Sequence, residues 1–467
     1  MNNNFFEKFI KYFVGNLASK VLYFLFGIFA ARIYGIVIYG EYNYALSIVS
    51  YFIMFANLGI QGYAQFAVSK EPKKAAVYYN EVITIEILLG IVASCLLFIF
   101  TMIIPTNREM LLLVGSTILI SALNIDWLFF AKQESHMVST QLLITYGIQI
   151  LLLYITFIIG NTKSYYLPIL VSIGQLIGNL FLHIIAKLKF EFRYSFSIKD
   201  FSYNVKKGIP YLFSGIFAGI NCNIDSIIIA NIMDSEAVGA YSAAYKIINI
   251  FIVLLATIYA PMFPLLVQTI KNDSKKYETV INKMRKISAI FIFPCVFGGV
   301  ILSNQIIEFM YGKQYSSASG SFKILMLFLA VFYMREIYGY TLTALGEQKK
   351  YMIGTCISSV INVVLNIIII PILGIEGAAL TTLISEIVNF VYMKYYASKA
   401  IKSKIDYNVL LKIILSGVVM SICAVVFLKF QINVVVNIIC CAMIYALVLI
   451  AFKVITINDI KEIKNKI

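Results

Sequence analysis

Fourteen apolar segments, each long enough to cross a bilayer, follow one another along this chain with short polar stretches between them. A hydrocarbon core about 30 Å thick takes about 20 apolar residues wound as an α-helix. Segments of that kind fall at 12–35, 43–65, 80–104, 111–131, 137–160, 165–186, 209–231, 239–269, 287–310, 321–344, 351–372, 375–397, 408–428 and 434–455. Lipid leaves no partner for an unpaired backbone group, so such continuous runs predict spanning helices. Of the 467 residues, 61% are hydrophobic and 13% charged; a soluble domain carries about 25% charge. That excludes a soluble enzyme. The expected fold is an all-α integral membrane protein.

The net charge of +15 does not point to nucleic acid. Lys and Arg sit in short clusters between apolar runs, an arrangement that orients a membrane protein. With the N-terminus in the cytoplasm, 29 of the 38 basic residues fall on the cytoplasmic side, six outside and three within spans. Both termini are therefore expected in the cytoplasm, in a plasma or inner cell membrane. The first span reads as retained, not as a cleaved leader. Seven cysteines lie in apolar segments without a C-x-x-C pair; they read as small buried hydrophobes. His136 and His183 add no metal cluster, and Gly312-Lys313 lacks a Walker A setting. The outer loops are too short for a polymerase or glycosyltransferase domain, so no enzyme, metal or organic cofactor is expected.

The chain also repeats itself. YGEYNYALSIV near residue 40 and VGAYSAAYKII near residue 239 align at an offset of 199, with Gly40 on Gly239 and Tyr42 on Tyr241. Both open the second span of a six-span half. A cytoplasmic linker after six spans starts the second half on the same side, so the halves are expected to be parallel repeats, suited to alternating access. The expected divisions are a first lobe at 1–186, a linker at 187–208, a second lobe at 209–397, and an accessory pair with a cytoplasmic tail at 398–467. Pro261 and Pro264 should kink the eighth span near its inner end. The basic stretch 271–286 is expected either as an amphipathic helix at anionic headgroups or as a solvated connector.

Charges inside spans are costly and usually serve function. The basic set is Lys20, Lys246 and Arg335, with Arg32 counted outside at the outer end of the first span; together they sample the depth of the membrane and could bind a pyrophosphate in passage. Snorkelling would explain Lys20 and Arg32 equally well, and Asp225 could pair with Lys246 across a helical hairpin. Arg335 is expected to face a cavity; a direct contact with Glu336 looks poor because adjacent helical residues point about 100° apart. On that reading Arg335→Ala reduces transport more than folding. The acidic residues in spans include Glu386, Glu336, Asp225 and Glu86, candidates for coupling to H+ or Na+. Glu336, Tyr340 and Thr343 share one helical face that could line a sugar path.

Several stretches resemble the polysaccharide transporter family of the multidrug/oligosaccharidyl-lipid/polysaccharide flippase superfamily. They are YGEYNYALSIVSYFIMFANLGI (39–60), DWLFFAKQE (126–134), the run 208–247, YGKQYSSA (311–318), LGEQKKY (345–351) and NVVLNIIIIPILGIEGAALTTLISE (362–386). The resemblance implies two pseudo-symmetric six-helix lobes in a V shape, like the multidrug (MATE) exporters, plus a C-terminal helix pair. It also implies a flippase that carries undecaprenyl-diphosphate-linked oligosaccharides to the outer leaflet for O-antigen, capsule or teichuronic-type polymers. Glycosyltransferases and a polymerase of the same pathway would be its partners. A multidrug exporter of organic cations and a lipid-II flippase are the alternatives. Where family members often carry Asp and Arg near the end of span 2, this chain has Asn57 and Phe66.

Overall fold

The computed structural model describes residues 3–103, 107–160, 162–259, 262–272, 274–399 and 407–454, and among them there are helices and no strands. The chain divides into two compact units, 1–242 and 243–467.

The first unit holds α1 (Asn3–Asn57), α2 (Ile60–Lys70), α3 (Ala75–Ile103), α4 (Arg108–Ser121), α5 (Asp126–Ala131), α6 (Ser135–Ile159), α7 (Tyr166–Phe190) and α8 (Phe201–Ile232), with the start of α9 (Ser235–Tyr259). The second holds the rest of α9, then α10 (Phe263–Asn272), α11 (Ser274–Ile301), α12 (Ser303–Tyr311), α13 (Ala318–Ala344), α14 (Gln348–Ala397), α15 (Tyr407–Lys429) and α16 (Val434–Ala451). This division by contacts differs from the repeat-based one: α8, which opens the second repeat, packs on α1 and α2.

Eleven helices among the described residues are long and apolar enough to cross a membrane, where the sequence predicts fourteen segments. The difference has a physical origin. α1 holds the first predicted segment and most of the second, which runs on into α2, and α14 holds two; both helices are broken inside, α1 at Gly35 (φ 78°, ψ 172°) and α14 at Gly374 (φ 58°, ψ −141°). Both conformations are open to glycine and strained for other residues. α8 contains a further predicted segment and contributes a shorter apolar stretch, Asn223–Ile232.

α14 folds back on itself at Gly374. Ser358 Oγ donates to the Ser385 carbonyl at 3.0 Å, Asn362 Nδ2 to Thr382 Oγ1 at 3.4 Å, and Thr381 bonds to Asn366. Partners that approach each other in number from both sides define an antiparallel hairpin. Amides and hydroxyls are buried along its seam, while Ile367, Ile372 and Val391 are exposed on the outside. The same inversion holds elsewhere, with Gln141, Gln149 and Asn179 buried and Ile159 and Leu188 exposed. Water would not tolerate so large an apolar surface; lipid does, and interior polar groups then join the helices.

At the crossing of α1 and α9 the chains touch backbone to backbone. A Cβ on Gly40 would lie 1.7 Å from the Ser235 carbonyl oxygen, and one on Gly239 would lie 2.2 Å from the Ile36 carbonyl oxygen. The two repeat-related glycines therefore meet at one contact.

The linker is partly helical and tied down. α7 runs on to Phe190 and α8 begins at Phe201. Between them Ser195 N donates to Asn80 Oδ1 at 2.8 Å and Ser197 N to Thr84 Oγ1 at 3.2 Å, both acceptors on α3. Each such bond contributes about 1 kcal/mol. The double change Asn80→Ala, Thr84→Val should speed tryptic cleavage at Arg193 and Lys199 about thirtyfold, read from a digestion time course. Unchanged cleavage would mean that the linker is held by something else.

The basic stretch 271–286 is neither a separate surface helix nor a solvated connector. From Ser274 onward it forms the first turns of α11, and Tyr277, Ile281, Met284 and Ser288 make one buried stripe along it. Tyr277 Oη donates to Thr341 Oγ1 on α13 at 3.5 Å. Of the two prolines expected to kink the eighth span, Pro261 lies outside the described residues and Pro264 falls in the first turn of α10.

Candidate functional site

α13 carries the strongest concentration of charge inside a predicted span, and α14 supplies its partner. Arg335 Nε donates to Glu386 Oε1 at 2.7 Å, and Arg335 Nη1 to Glu336 Oε1 at 2.5 Å. All three side chains are largely buried, and the guanidinium also stacks 4.6 Å from the centre of the Phe332 ring. The direct Arg335–Glu336 contact corrects the sequence expectation. The two Cα–Cβ bonds do diverge, but long side chains curl back across that angle, and Glu386 draws the guanidinium toward the seam with α14.

One arginine thus serves two carboxylates. The surplus acid reaches a cavity of about 450 Å³, whose lining includes Phe332, Glu336, Tyr340 and Thr343 from α13, Tyr351 from α14 and Phe263 from α10. That is within the usual range for a ligand pocket. The predicted stripe Glu336, Tyr340, Thr343 does face it, and Phe332 extends the stripe by one turn, a spacing the sequence could have shown. Tyr351 and Phe263 come from other helices and carried no such signal. Tyr340 is wedged edge-on between Tyr259 at 5.2 Å and Phe263 at 5.7 Å, and Tyr259 shares a 2.5 Å hydrogen bond with Ser288. Arg335 is not a lining residue; it sits behind Glu336 and positions it. The wall so formed offers aromatic faces and a carboxylate acceptor. It suits hydroxyl groups on a ring, and among the described lining residues there is no cation for a phosphate.

The other candidates lie apart in sequence and setting. Lys246, half-buried on α9, does not line this cavity. Lys20 is half-buried on α1, and Arg32 is exposed three residues before the break at Gly35. Asp225 on α8 is buried and accepts a 2.6 Å bond from Tyr241 Oη. Glu86 on α3 is buried and accepts from Gln61 Nε2 at 3.0 Å.

The structure matches that of the lipid II flippase MurJ in its inward closed conformation with a TM-score of 0.77 at 20% identity, covering 95% of this chain and 98% of that one. The chain belongs to the polysaccharide biosynthesis protein family, whose sequence profile matches residues 5–270, and the MatE profile matches 210–368. Among curated relatives, the probable low-salt glycan biosynthesis flippase Agl15 of Haloferax volcanii is 30% identical over 186 residues. That match spans 40% of this chain and 39% of the relative. The capsular polysaccharide biosynthesis protein CapF of Staphylococcus aureus is 24% identical across 82% of this chain and 97% of its own length. It is thus a multi-pass membrane protein among relatives named as flippases and polysaccharide biosynthesis proteins.

Proposed function

We propose that this protein is a flippase that moves an undecaprenyl-diphosphate-linked oligosaccharide from the cytoplasmic to the outer leaflet by alternating access. What carries the reading is the aromatic and carboxylate-lined cavity at the α13–α14 seam in a chain of this family. Sugar C–H faces pack on aromatic rings, and Glu336 accepts from hydroxyls. The diphosphate would be met by Lys20, Arg32 or Lys246, while the polyprenyl tail stays in lipid. The two six-span repeats, 1–186 and 209–397, would supply the moving halves. Both termini would be cytoplasmic, and an H+ or Na+ gradient would drive the cycle. Polymerase and glycosyltransferases of the same pathway would act on either side of it.

The test uses proteoliposomes loaded with an undecaprenyl-diphosphate oligosaccharide, following its arrival in the opposite leaflet with and without a proton or sodium gradient. Protein-dependent, gradient-sensitive movement is expected. Tyr340→Leu should slow it about fivefold through the loss of roughly 1 kcal/mol of aromatic contact, with thermal stability little changed. The same rings and the surplus acid also suit an organic cation. Efflux of ethidium in place of any lipid-linked sugar would move the protein to the multidrug branch.

A further inference from the structure

A smaller cavity of about 130 Å³ lies within the first unit, lined on its polar side by Asn57, Gln61, Glu86, Ser121 and Asn124. Glu86 is 2% exposed. Gln61 Nε2 bridges its Oε2, at 3.0 Å, to the Asn124 carbonyl at 3.3 Å. Glu86 Oε1 has no hydrogen-bond partner among the described residues. Among the described residues no Lys, Arg or His lines the cavity, and Asp126, a second acid, acts on Glu86. A buried carboxylate so placed is costly without a counter-charge.

Helix ends of both signs meet at the cavity: the C-termini of α1 and α4, and the N-termini of α2 at Ile60 and of α5 at Asp126. α1 stops at Asn57, where Leu58 and Gly59 turn the chain with φ of 46° and 72°. α4 stops at Ser121, and the chain is non-helical until Asp126. The opposed end charges offset one another, while the two C-termini still present backbone carbonyls as neutral acceptors. The last turns of both helices form part of the cavity wall. A carboxylate, two helix C-termini and the side-chain amides of Asn57, Gln61 and Asn124 thus converge on one small space. A proton would need only the carboxylate; a surround of neutral oxygens is what a hard metal cation takes in place of its hydration shell. One lone carboxylate oxygen balances one charge, and the volume holds such an ion with a few waters.

We propose that this cavity binds Na+, with Glu86 as its anionic ligand and Gln61 orienting the carboxylate. The inference deepens the ion-coupling element of the function proposed above. It concerns binding alone, so its failure and the failure of transport are separable.

The test is equilibrium binding of 22Na+ to the purified full-length protein in lipid nanodiscs, with displacement by unlabelled Na+. The wild type is expected to bind saturably. Glu86→Gln should abolish saturable binding, and Gln61→Leu should weaken it about tenfold, as loss of a ligand-orienting group does. Trp127, the single tryptophan, is buried beside Asp126, so its emission reports whether each variant keeps the packing here. If Glu86→Gln does not fold, Gln61→Leu decides the matter. A wild type that holds no displaceable 22Na+, or folded variants that bind as the wild type does, would overturn the site.

Discussion

Arg335→Ala is expected to cost the protein about 3–5 kcal/mol of stability, the usual loss when one partner of a buried ion pair is removed. The guanidinium bonds Glu386 at 2.7 Å and Glu336 at 2.5 Å and stacks on Phe332, so the truncation strands two buried carboxylates and opens a hole beside a ring. The loss therefore falls on folding as well as on transport, which revises the expectation drawn from sequence. Arg335→Lys should recover part of it, because an ammonium is a point charge that cannot fork between two acids or lie flat on an aromatic face. Adding Glu386→Gln to Arg335→Ala should also recover part, since it removes one stranded charge. Thermal unfolding of the four purified proteins in one detergent gives the order: wild type, then Arg335→Lys and the double variant, then Arg335→Ala. A single alanine variant as stable as the wild type would show that the triad holds nothing together.

The second large effect is expected at Gly40. A methyl group there would stand 1.7 Å from the Ser235 carbonyl oxygen, and the obstacle is backbone, so no rotamer change relieves it. α1 and α9 must separate or bend. Overpacking of side chains costs about 1–3 kcal/mol, and a backbone obstacle belongs at or above the top of that range. Gly239→Ala, with its clash at 2.2 Å, should be nearly as severe. Gly147→Ala on α6 is the control. Nothing lies within 4 Å of its added methyl, and alanine is the better helix former by up to about 1 kcal/mol. Melting curves of the three variants should place Gly147→Ala at or above the wild type and the other two well below it. Equal melting of all three would mean that the α1–α9 contact is not close in solution.

What the sequence made legible is what lipid enforces. Each crossing needs an uninterrupted apolar run, so the segments could be read from hydrophobicity alone, and Glu336, Tyr340 and Thr343 could be placed on one face from helical spacing. The breaks at Gly35 and Gly374 could not, because a glycine inside an apolar run looks the same whether its φ is negative or positive. Glu386 reaches Arg335 from 51 residues away only because α14 doubles back, and Gln61 reaches Glu86 across two helices. Arg335 itself misled, since its Cα direction and the position of its charge are different things. The stretch 271–286 misled in a similar way. Its lysines suggested a surface, while the stripe of Tyr277, Ile281 and Met284 beneath them packs inward.

The hairpin in α14 has a consequence for how the chain enters the membrane. Asn362 and Asn366 on one arm find their partners in Thr381 and Thr382 on the other. The first arm alone in hydrocarbon would keep the bond from Asn366 Nδ2 to Asn362 Oδ1 but lose the cross-arm partners of Asn362 Nδ2 and Asn366 Oδ1, at a cost of several kcal/mol. The two arms are therefore best handed to the bilayer as a pair, the first waiting at the exit of the insertion machinery until the second has been synthesised. The order of synthesis and the order of burial would then differ at this point.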